Sequence, residues 1–114
     1  MSNLPIVPMG DGKPPFDQIK YVLEQIKDII DCYRTTRELS YQQRSALRNQ
    51  INTIQSVQRA RNLEVVIDSD IRLLEFAQRR IEEAKLSGEC LDAAMDFLDE
   101  VRAILIADLR KFKK

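Results

Sequence analysis

Few residues of this chain could do chemistry, and those few are badly placed for it. There is no histidine among the 114 residues, so the commonest general base near neutral pH and the usual imidazole ligand for a metal are both missing. Gly10-Asp11-Gly12-Lys13 has the residue types of a phosphate-cradling loop, but neither its spacing nor a strand ahead of it. Glu82-Glu83 and Asp99-Glu100 are carboxylate pairs, yet adjacent residues on a helix point in different directions. A diiron-type site would need Glu-x-x-His pairs, which do not occur. These acids read as a solvated face. Cys32 and Cys90 each lack a nearby second cysteine, and both read as buried thiols acting as small apolar groups in a reducing compartment, rather than as a disulfide or a metal site. No catalytic residue, metal site or cofactor is therefore expected, and the chain reads as non-enzymatic.

The arginines are the more suggestive set. From Leu39 to Leu63 there are four arginines and no acid, and from Glu64 to Glu100 eleven acids face four bases. The tail from Val101 onward is basic again, and the formal net charge of the whole is +0. Segregation of this kind can decide which helix lies beside which, or steer a charged partner. Arg34, Arg37, Arg44, Arg48, Arg59 and Arg61, interleaved with Gln42, Gln43, Asn49, Asn52 and Gln55, could contact phosphates and base edges. Against a nucleic-acid partner stand the overall neutrality, the lack of tryptophan, and the absence of a recognition-helix turn or an aromatic stacking platform.

Aromatic and arginine side chains are also the usual anchors of protein interfaces. Tyr41, Arg44, Arg48 and Arg59 on the second helical stretch, and Phe97 and Ile104 on the last, are the candidate partner-binding residues. Phe76 lies beside the apolar stripe of its own stretch, and for it and for Phe97, each taken alone, filling the bundle core is the slightly favoured reading.

The elements that must position these residues are helical. Residues 1–15 form a Pro-containing arm, LPIVPMGDGKPP from residue 4 to 15, that cannot be helical throughout. It reads either as a frayed tail or as an extended arm laying Leu4, Ile6, Val7 and Met9 into a groove. Residues 16–114 read as one helical bundle domain. A first helix is expected from Pro15 or Asp17 to Arg37, with Ile19, Val22, Leu23, Ile26, Ile29, Ile30 and Tyr33 spaced by three and four on one face. Ser40-Tyr41-Gln42-Gln43 matches a capping box that opens a second helix. That helix carries only a narrow stripe of Leu47, Ile51, Ile54 and Val57.

From Tyr41 to Leu86 there is no Gly or Pro, but the apolar stripe moves to nearly the opposite side at Leu63, Ile67, Leu74, Ala77 and Ile81. The chain must turn between about Asn62 and Asp70, or one rod of about 70 Å must present opposite faces to different neighbours. A turn would start a third helix near Asp70, with Asp68, Ser69 and Asp70 all competent caps and Ile71, Leu74, Ala77, Ile81 and Ala84 facing inward. Ser87-Gly88 would end it, Gly88 serving as the left-handed stop. A last helix then runs from Glu89 to about Phe112. Its apolar surface is wide enough for burial on more than one side.

The fold class is all-α, an antiparallel helical bundle with a four-helix core. It is built either from one chain with a turn near Asn62–Asp70 or from a dimer of Z-shaped protomers on a continuous central helix. Base rates for helix length tip the choice to the single chain. The expected role is a cytoplasmic adaptor, assembly subunit or regulator that binds another protein, a second copy of itself included. A nucleic-acid-associated factor is the alternative. Neither a membrane nor a small-molecule substrate is expected.

Overall fold

The computed structural model describes residues 15–61, 65–84 and 88–112; the arm expected over 1–15 falls, but for Pro15, outside them. Four helices follow one another: α1 (Pro15–Thr36), α2 (Tyr41–Arg61), α3 (Val65–Glu83) and α4 (Gly88–Phe112). No strand occurs among the described residues. The central run therefore breaks, and the single-chain bundle is the architecture.

Each end of α1 is set by its residues. Pro15 occupies the first turn, where its missing N–H costs nothing, and Asp17 lies by the positive end of the dipole. At the far end Arg37 takes the left-handed conformation with φ 61°, and its amide donates to the Tyr33 carbonyl at 2.6 Å. This stop is normally given to glycine. Three residues on, the capping box closes as its sequence requires: the Ser40 amide donates to Gln43 Oε1 at 2.9 Å and the Gln43 amide to Ser40 Oγ at 3.0 Å.

The helices form a ring in which α1 borders α2 and α4, and α3 borders α2 and α4. Cross-helix contacts show each border to be antiparallel. Arg44 and Gln55 of α2 meet Ile81 and Glu75 of α3 in reversed order, and Leu23 and Arg37 of α1 likewise meet Arg102 and Asp92 of α4. The core is the union of the four stripes: Leu23, Ile26 and Ile30 from α1, Leu47 and Ile54 from α2, Leu74 and Ile81 from α3, and Leu98 and Leu105 from α4 are all fully buried. The last helix is buried on two sides, as its wide apolar surface predicts, because it touches both α3 and α1.

Three expectations need correction. The third helix starts at Val65 and not near Asp70. Asp68 lies in its first turn, pairing with Arg72 one turn on at 2.9 Å, while Asp70 falls on the buried stripe. Gly88 is not a stop for α3, which ends at Glu83; it opens α4. Both cysteines are exposed and not buried. Cys32 precedes the buried Tyr33 by one residue, about 100° around the helix, which turns it off the apolar stripe.

Candidate partner-binding surface

Four of the six arginines singled out from the sequence are engaged within the bundle, Arg34, Arg37 and Arg48 with acids and Arg44 with a carbonyl. Arg44 donates to the carbonyl of Ile81 at 3.0 Å. That carbonyl is among the last of α3, where no amide within the helix remains to meet it. Arg48 bonds Glu82, which also accepts from Gln78, and Gln55 bonds Glu75. On the other side of the molecule Arg34 spans Asp99 and Asp96 of α4 at 3.0 and 3.2 Å, and Arg37 reaches Asp92 at 3.1 Å. Tyr33 donates its hydroxyl to the same Asp92; burial and that bond push the phenol above the usual tyrosine range. Arg102 lays its Nε on the carbonyl of Leu23 at 3.2 Å. The unequal distribution of charge along the chain thus closes the α2–α3 and α4–α1 borders.

The six candidate residues do not form one surface. Tyr41, Arg44, Arg48 and Arg59 stand on α2, and Phe97 and Ile104 stand on α4, the helix diagonal to it. Tyr41 and Arg59 are exposed, and Arg59 makes no ion pair among the described residues. Near Tyr41, at the α1–α2 turn, Ile29, Cys32, Thr36, Glu38 and Gln43 line an open cleft of about 440 Å³. Gln43 there donates to Cys32 Sγ at 3.3 Å.

The α3–α4 border is built differently. Its outer groove holds Phe76 of α3 and Phe97 of α4 edge to face, ring centroids 5.7 Å apart and planes at 89°. Arg80 lies over both rings, at 5.9 and 5.6 Å, and Arg79 over Phe76 at 5.7 Å. One turn before Phe76 is Leu73, and two turns after Phe97 is Ile104 on the same side of α4. Because the helices are antiparallel, both lie along the groove in the same direction from the ring pair. Leu73, Phe76 and Ile104 are 36%, 44% and 45% exposed, and Phe97 is half-buried. Ala93 and Ala107, both exposed, add no polar group beside Phe97 and Ile104. The result is one contiguous apolar patch capped by two guanidinium planes.

Phe97 and Ile104 belong to this patch together with Phe76. Leu73, Arg79 and Arg80 are members that the sequence alone does not single out. Leu73 and Arg80 sit on the flank of the α3 stripe nearest α4, a position that can be assigned only once the neighbours of α3 are known, and Arg79, farther round the helix, reaches back to the Phe76 ring.

Further along the same border Asp70, 4% exposed, meets Asp108 of α4. Its Oδ2 has no partner among the described residues. Burial, then the bond to Asp108 and the repulsion between the two carboxylates, push Asp70 up to about 7, while Lys111 opposes the rise. Lys111 stands 3.7 Å from Asp108. Among the described residues no group of three or more His, Cys, Asp or Glu is arranged to hold a metal ion, and no helix is long and apolar enough to cross a membrane. Comparison with protein-family profiles, curated protein sequences and solved structures finds no match to this chain.

Proposed function

We propose that this protein is a non-enzymatic interaction module that binds another protein by helix packing, with the outer groove of α3 and α4 as its binding surface. The observation that carries this reading is the solvent-facing set of Leu73, Phe76 and Ile104 around the half-buried Phe97. Large apolar side chains scattered singly on a surface need no explanation, whereas a contiguous group with stacked arginines has the composition of an interface centre. An adaptor, assembly subunit or regulator working inside the cell fits such a surface. Nucleic acid is the weaker partner, because Arg34, Arg37, Arg44 and Arg48 are already engaged with acids or carbonyls of the bundle.

The test is affinity capture of the tagged full chain, with and without nuclease, alongside Phe76→Glu and Ile104→Glu. A protein partner retained after nuclease and lost from both variants is the expected result. Capture that vanishes with nuclease, or that both variants retain in full, would overturn the assignment.

A further inference from the structure

We infer that the partner seated on the α3–α4 groove is a second copy of this chain, related to the first by a two-fold axis; this rests on the groove being the binding surface. The argument begins with the charges that rim the apolar patch. Arg79, Arg80 and Glu83 from α3 and Glu100 from α4 are all exposed, and none makes an ion pair among the described residues. Elsewhere on the molecule the equivalent border residues pair within the chain, as Arg34 does with Asp99 and Arg48 with Glu82. Two cations and two carboxylates make a balanced rim, which neither attracts nor repels a strongly charged partner. A balanced rim is, however, complementary to itself. In an isologous contact, residues away from the axis pair reciprocally, residue i of one copy with residue j of the other and j with i, so the arginines of one α3 can face the carboxylates of its twin. The chain's formal net charge of +0 adds no repulsion between copies.

Shape and size agree. Two helices side by side present a face about 20 Å wide, and the 19 residues of α3 run about 28 Å along it. That is roughly 600 Å² per partner, at the low end for protein contacts, and it suits a weak, concentration-dependent association. The alanines at 93 and 107 let another helix approach α4 closely, since interaxial distance follows the size of the side chains at the contact. Leu73 and Ile104 then form the dry centre beside the arginine-covered rings of Phe76 and Phe97, with Glu83 and Glu100 at the edge to meet the guanidinium groups of the twin.

Light scattering coupled to size exclusion, run on the full chain from low micromolar to near-millimolar concentration, reads the mass directly. The expected result is a concentration-dependent doubling. Ile104→Glu and Phe76→Glu should each weaken it by about tenfold or more while leaving the far-ultraviolet circular dichroism unchanged. Arg80→Glu and Glu100→Arg should each weaken self-association alone and restore it when combined, a readout that general unfolding cannot imitate. A wild-type chain that stays monomeric at the highest concentration overturns the self-contact. So does a dimer indifferent to both apolar variants. If the wild type is monomeric and Ile104→Glu still loses a captured protein, the groove remains a binding surface for a different partner. If it is monomeric and capture is also unaffected, both readings fall.

Discussion

The α4–α1 and α3–α4 borders solve the same packing problem by different means. No loop joins α4 to α1, and that border carries Tyr33, Arg34 and Arg37 against Asp92, Asp96 and Asp99, with Arg102 on the Leu23 carbonyl. The α3–α4 border is joined by a short connection, and its outer side carries aromatic rings under guanidinium groups instead of ion pairs. A short connection already restricts how α3 can sit beside α4, so directional polar contacts add little there. The first and last helices have no such restraint, and opposite charges select their pairing. Residues on the tethered border are thereby released for another use, while those on the untethered border are committed to the fold.

The largest expected effect lies at the polar end of the tethered border. Asp70 ionises there against both burial and Asp108, with a pKa of about 7 in the folded chain against an ordinary value of 3.8. Between those two values the folded state holds the proton and the unfolded state has released it. Stability therefore falls as pH rises from about 4 to about 7 and is flat, for this group, above that. Asp70→Asn keeps a hydrogen bond to Asp108 without the charge. It should be more stable than wild type at pH 8, where the wild-type chain must hold two carboxylates against each other at a buried position. The advantage should vanish by pH 4. Urea melts at the two pH values measure the difference, and equal stability at both would contradict the burial argument.

On the untethered border the effects should be smaller and graded. Arg102→Ala removes a mostly buried guanidinium that bonds a helix carbonyl and should cost about 2 kcal/mol in the same melts. Tyr33→Phe removes one hydroxyl while Arg37 still meets Asp92, at about 1 kcal/mol. Arg34→Ala breaks two partly exposed ion pairs and should cost less than about 1 kcal/mol, shrinking further in high salt. If Arg34→Ala instead cost more than Arg102→Ala, exposed charge and not the shielded contact would be what closes the bundle.

The helices and their core were legible because periodicity alone tells which side of a helix is apolar. Every inward residue named for α1 from Ile19 to Ile30 apart from Ile29, and for α3 from Ile71 to Ala84, is buried, and Ile29 packs half-buried against the core. The capping box was legible because its two bonds involve residues three apart. The start of α3 was misplaced because Asp68, Ser69 and Asp70 are good caps by type. The spacing of Asp70 from Leu74 places it on the apolar stripe, and that spacing decided its position. The proposed binding surface was legible only in part. Phe97 and Ile104 stand out against the needs of a single core stripe, but whether the flank that carries Leu73 and Arg80 is covered depends on the helix beside it. That is a property of tertiary arrangement and not of local pattern. The arginines of α2 were readable as either an internal or an external set; the acids of α3 took up Arg48, and a carbonyl at the end of α3 took up Arg44.

The closure between the first and last helices has a kinetic consequence. Its bonds join residues as far apart as Arg37 and Asp92, separated by 55 positions, and Leu23 and Arg102, separated by 79. Bringing such distant segments together carries the greatest loop entropy in the molecule, so the two hairpins should assemble before the ring shuts. Weakening that seam should then accelerate opening far more than it retards folding. The lifetime of the shut bundle, more than the speed at which it forms, is written in Tyr33, Arg37 and Arg102.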